Sequence, residues 1–89
     1  MSVRNRDVVE ILNEVADLLD IQGANSFRVR AYRNASRTIS DLDTQVAEMV
    51  EDDKDISSLP DVGESIAEKI REIVDTGSLS QLEELRDEM

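Results

Sequence analysis

Residues 56–74 read Ile56-Ser57-Ser58-Leu59-Pro60-Asp61-Val62-Gly63-Glu64-Ser65-Ile66-Ala67-Glu68-Lys69-Ile70-Arg71-Glu72-Ile73-Val74. Pro60 and Gly63 punctuate the first eight residues as a turn. Ile66, Ala67, Ile70, Ile73 and Val74 then recur at the spacing of one buried helix face. A turn that runs directly into a helix leaves the N–H groups of the first helical turn without intrahelical partners. The helix dipole adds partial positive charge at the same place, so this junction attracts anions such as phosphate. Gly63, lacking a Cβ, allows a ligand to approach the backbone closely. The same pattern also serves as a plain helix–helix connection.

Helical periodicity extends outward from this segment in both directions. Upstream, Val8, Ile11, Leu12, Val15, Leu18 and Leu19 form one apolar stripe, which predicts a helix over about 6–20 with Asn5 as N-cap and a stop near Gly23. Asn25 or Ser26 caps a second helix, about 26–40, with Phe27, Ala31, Ala35 and Ile39 on its stripe. A third, over about 44–51, starts at Asp43 or Thr44 and buries Val46, Ala47 and Val50. The acidic run Glu51–Asp55 is too short to be a linker. Downstream of the helix at about 64–75, Thr76-Gly77 is a stop. Ser78 with Gln81, or Ser80 with Glu83, has the spacing of a capping box that opens a last helix over 79–87, burying Leu82 and Leu85. No segment has strand periodicity. The expected fold is all-α, a compact orthogonal bundle of four to five helices, with residues 1–89 as one domain.

Composition limits the chemistry. The 89 residues include no Cys, no His and no Trp. Disulfides, Cys/His zinc sites and Ser-His-Asp or Cys-His nucleophilic machinery are therefore excluded. No apolar run approaches a membrane span and no signal-peptide layout opens the chain, so a cytoplasmic, nucleoid-associated location without membrane contact is expected. The net charge of −11 is unevenly placed: residues 1–38 sum to +1 and residues 39–89 to −12. Residues 21–40 hold Arg28, Arg30, Arg33 and Arg37 and no acid. Only Lys54 and Lys69 are lysines, a balance that fits either a high-salt cytoplasm or an ordinary acidic domain.

On these residues, Leu59–Ile70 resembles a helix-hairpin-helix DNA-binding motif, whose usual core is Leu-Pro-Gly-hydrophobic-Gly followed by Ala and Ile on the second helix. With Asp7–Leu19, Phe27–Ile39, Ala31-Tyr32-Arg33 and Thr76-Gly77-Ser78-Leu79, the likeness covers almost the whole chain. It is to the N-terminal domain of family X DNA polymerases, the bacterial and archaeal relatives of DNA polymerase beta. The resemblance implies non-sequence-specific binding of gapped, nicked or single-stranded DNA, in base excision or gap-filling repair, beside a polymerase domain of the same parent chain. The run Arg86-Asp87-Glu88-Met89 carries no stop signal, which agrees with a truncation.

Carried over by position, the resemblance implies backbone N–H donors to phosphate from around Asp61, Val62 and Gly63, with Ser65 beside them. The carbonyls of Ser57, Leu59 and Val62 would hold a monovalent K+ or Na+, and Mg2+ would be needed only by the absent polymerase domain. Lys69 stands where beta-type members carry a Schiff-base lysine for 5′-deoxyribose-phosphate lyase chemistry, Tyr32 where they carry the pocket tyrosine, and Arg28 where they have a basic phosphate contact. Phe27 falls where a ring can stack on a template base. Several positions depart from the family. Asp61 replaces a glycine, and Ser57, Ser65 and Gln81 stand where lyase-competent relatives carry Lys.

Plainer readings compete residue by residue. Lys69 lies beside Glu68 and three residues from Glu72, as a surface ion pair would. Phe27, one of two aromatic residues, suits the core of a chain short of large side chains. The four arginines span more than one helix face, with Arg30, Arg33 and Arg37 the tightest group. The acidic second half could instead make the domain a protein-interaction module that docks on a basic partner.

Overall fold

The computed structural model describes residues 3–88. Five helices follow one another: α1 (Asn5–Ile21), α2 (Ser26–Ser40), α3 (Val46–Glu51), α4 (Glu64–Thr76) and α5 (Ser80–Asp87). A single 3₁₀ turn, Ile56–Ser58, lies between α3 and α4. No strand occurs among the described residues. The helices form because apolar side chains recur at helical spacing, and two of them, α1 and α4, stop where glycine takes a left-handed backbone. Gly23 has φ +78° after α1, and Gly77 has φ +79° after α4.

α1 is the organising element. It packs along α2 and also touches α4 and α5. Its stripe Val8, Leu12, Val15 and Leu19 is buried and meets Ile39 of α2, Ile70 and Ile73 of α4, and Leu82 of α5 in one core. Each such side chain contributes about 1.5–3 kcal/mol by leaving water. Two ties brace α5 on α1. Arg86 Nε and a terminal nitrogen donate to the two carboxylate oxygens of Glu14, each at 2.7 Å. Gln22 Nε2 donates to Glu88 at 2.8 Å. The Arg86 hydrogen bonds hold the Glu14 carboxyl below its ordinary pKa.

The caps differ from expectation at both ends of the chain. Arg4, not Asn5, is the N-cap of α1, and its N–H donates to Asp7 Oδ2 at 2.9 Å. Asn5 is the first helical residue, so its side chain is free to reach α3. Its Oδ1 accepts the Val46 N–H at 2.7 Å and its amide donates to the Thr44 carbonyl at 2.9 Å. Gln45 Oε1 returns the contact by accepting the Asn5 N–H at 2.9 Å. α3 consequently begins at Val46 rather than Thr44, capped from another helix. Asn5→Ala should cost about 1–2 kcal/mol, the upper range for a lost cap, because it leaves the N–H of the buried Val46 unpaired. Chemical denaturation of the variant measures this.

Neither predicted capping box forms at α5, whose N-cap is Leu79 with no side-chain cap. Glu72 of α4 accepts the Ser80 N–H at 2.7 Å instead, and the Thr76 hydroxyl accepts that of Ser78 at 3.2 Å. The α2 stripe is also rotated from its predicted line. Val29, Tyr32, Ala35, Ser36 and Ile39 are buried, while Phe27 stands 74% exposed.

Candidate nucleic-acid interface

The turn before α4 is built by local bonds. Asp55 accepts the Ser57 N–H at 3.0 Å and the Ser57 hydroxyl as well, which lowers the Asp55 pKa from its ordinary value. The chain then turns at Leu59-Pro60-Asp61-Val62, closed by the Val62 N–H donating to the Leu59 carbonyl at 3.1 Å. Asp61 sits at φ +62°. Proline at the second position with positive φ at the third is the pattern of a type II turn, in which the third residue is normally glycine or asparagine. This explains why the related motifs carry glycine where this chain carries Asp61.

Gly63 presents the opposite case. Its φ of −85° and ψ of 179° are extended backbone open to any residue, and a Cβ added there would meet nothing within 4 Å. Gly63 is the N-cap of α4, with no side-chain cap, and its carbonyl accepts the Ala67 N–H at 2.8 Å as the first bond of the helix. The N–H groups of Glu64, Ser65 and Ile66 in that first turn are left to outside acceptors. The expected donor set shifts accordingly. Val62 is buried with its N–H spent in the turn, which leaves the N–H groups of Gly63 and the residues after it open to an outside acceptor.

The N-terminal halves of α2 and α4 meet the hairpin in a depression of about 350 Å³. Arg28, Tyr32, Asp61, Gly63, Ser65 and Lys69 line it, over an apolar floor of Ala31 and Ile66 that the sequence reading had not assigned to a site. Six of the predicted site residues thus come together from two segments some 30 positions apart. The Tyr32 ring is buried and its hydroxyl donates to Gln81 Oε1 at 3.1 Å, which leaves the phenol oxygen able to accept but not donate.

Other predicted residues lie elsewhere. Arg33 is bonded to Asp17 at 2.9 Å and so is taken up by α1. Arg30 sits over the Phe27 ring, 5.9 Å from its centroid, and both are exposed. Arg37 is exposed near the far end of α2. The expected pairing of Lys69 with Glu72 does not form: among the described residues the ion pairs are Arg33–Asp17 and Arg86–Glu14, and Glu72 is occupied by Ser80. Phe27, expected in the core, is a surface aromatic, because the α2 face that meets α1 centres on Val29 and Tyr32.

The tight turn opens a helix with unpaired N–H groups beside a basic helix, and the chain belongs to the helix-hairpin-helix domain family, whose model matches most of its length. The model of the helix-hairpin-helix domain family matches residues 3–79. The chain is also 30% identical over 87 residues to the DNA polymerase/3′-5′ exonuclease PolX of Bacillus subtilis (strain 168). That match takes in 98% of this chain and 15% of the relative, so the chain spans a small part of the relative's length.

Proposed function

We propose that this domain binds DNA through backbone phosphates without reading sequence, in the setting of a DNA polymerase. Gly63 carries the reading: neither its backbone angles nor any neighbour requires glycine, so its missing Cβ serves an approach from outside. Phosphate oxygens accept from the α4 amides while Arg28 and Lys69 supply charge from the side. Gapped, nicked or single-stranded DNA in base excision or gap-filling repair is the substrate this reading favours, with a polymerase domain of a longer parent chain acting on the DNA so held. A K+ or Na+ ion held by the carbonyls of Ser57, Leu59 and Val62 would brace the hairpin. The Leu59 oxygen, already accepting from Val62, keeps one lone pair for it.

The test is a titration of the labelled domain at low salt with one-nucleotide-gapped DNA bearing a 5′-phosphate, followed by backbone amide resonances. Shifts should concentrate at Gly63, Glu64, Ser65 and Arg28. Affinity should fall as salt rises, with log K dropping by roughly 0.9 per tenfold rise in salt for each phosphate that Arg28 or Lys69 neutralises. Absence of shifts at the hairpin at millimolar DNA would overturn the reading.

A second reading is favoured by Lys69 lining the same depression as Tyr32 and Arg28, with no carboxylate paired to it among the described residues. In 5′-deoxyribose-phosphate lyase chemistry the Lys69 amine would attack the C1′ aldehyde of an abasic sugar and lose water to form an imine. Borohydride reduction would then leave a covalent adduct on abasic DNA, absent in Lys69→Ala.

A further inference from the structure

The molecule has a second concave region, remote from the hairpin. A trough of about 550 Å³ runs between the first half of α1 and the last turn of α4. Val3, Ile11 and Val74 form its floor, each half-buried against the core, and Asp7, Glu10 and Asp75 form its rim. At Val3 it meets another depression, of about 490 Å³, bordered by Glu48 and Glu51 of α3 with Arg4 as its one base. The joined surface presents five carboxylates around a strip of apolar side chains. It shares no lining residue with the hairpin depression. On α4 the nearest lining residues of the two sites, Lys69 and Val74, are five positions apart, roughly 7.5 Å along the helix at 1.5 Å per residue.

DNA is the wrong ligand for such a surface, since every rim charge but one repels phosphate. We propose that this trough docks a basic amphipathic helix, a protein segment with Lys or Arg flanking a row of aliphatic side chains. The complementarity is specific in both respects. Aliphatic groups would cover Val3, Ile11 and Val74, and cations would meet Asp7, Glu10 and Asp75 at the edge, the arrangement of a helix-in-groove contact. The charge imbalance of the chain then has a structural meaning, with an arginine-bearing hairpin side for DNA and a carboxylate-rimmed side for a protein. Both sites can be filled at once.

The test uses the 89-residue chain and a designed 14-residue helical peptide with Leu at i, i+3, i+4 and i+7 and Lys elsewhere, followed by amide shifts. Saturable shifts at Ile11, Val74, Asp75 and Gly77 are expected. A peptide with the leucines replaced by Ser should bind at least tenfold more weakly. Glu10→Lys combined with Asp75→Lys, both at exposed positions, should weaken the Leu/Lys peptide at least tenfold. Circular dichroism checks that this variant keeps its helices. Equal binding of the Ser peptide would reduce the effect to diffuse attraction by an acidic surface and overturn the proposal. So would shifts spread evenly over Asp52, Asp53 and Glu84.

Discussion

Gly63→Ala should leave the fold in place and remove most of the DNA affinity. Stability is expected to change by no more than about 1 kcal/mol. The alanine is a poorer N-cap than glycine, but it restricts the unfolded chain, and the two effects oppose each other. The added methyl meets nothing within 4 Å of its own chain. A phosphate seated on the amides of Glu64 and Ser65 would meet it directly. Affinity for gapped DNA should drop at least tenfold, about 1.4 kcal/mol. Fluorescence anisotropy measures the affinity and thermal melting the stability. A variant that binds as well as the parent would show that the hairpin is only a connection.

Asp61→Gly should act in the opposite direction on affinity and should also raise stability. At φ +62° an L-residue is strained by about 1–2 kcal/mol, less for Asp, which tolerates this region. Glycine removes that strain but gains freedom in the unfolded chain. A net stabilisation of about 0.5–1 kcal/mol is expected, seen as a melting temperature raised by about 2–6 °C. The substitution also takes a carboxylate off the depression that Arg28 and Lys69 line. Affinity should rise about fivefold, or ~1 kcal/mol. Asp61→Asn separates the two contributions, because it removes the charge with little change in backbone preference. It should gain affinity with much less gain in stability. If Asp61→Gly raises stability alone, the Asp61 carboxylate points away from the phosphate.

The two substitutions exchange the roles that a motif comparison alone would assign. Glycine at 61 is a backbone requirement that this chain leaves unmet, whereas glycine at 63 is an opening that the backbone does not require. Both positions look alike in sequence, since each is simply a glycine position of the motif. They part only when φ and the space around a Cβ are known.

Helix order, the all-α class and the hairpin before α4 were legible because they rest on local causes. Apolar spacing defines a buried stripe, and Pro60, Gly23 and Gly77 act on the backbone within a residue or two. The placement of α2 within its stripe was not, because Phe27 and Val29 differ by two positions and only the α1 surface opposite decides which is covered. The caps followed the same division. Asn25 caps α2 through its own neighbour Phe27 and was readable. Asn5 caps a helix 41 residues away, and Glu72 takes the amide of Ser80 in place of a local box. Among the arginines, the resemblance points to Arg28 and spacing groups Arg30, Arg33 and Arg37, and tertiary structure separates them: Arg33 is held by Asp17, Arg30 stacks on Phe27, and Arg28 alone reaches the hairpin depression. The sequence by itself therefore determined the elements, their order and the turn that opens α4, all set within one or two helical turns of chain. Which charges share a site was decided only by packing, since Arg28 and Lys69 are brought to one depression by the docking of helices far apart in the chain.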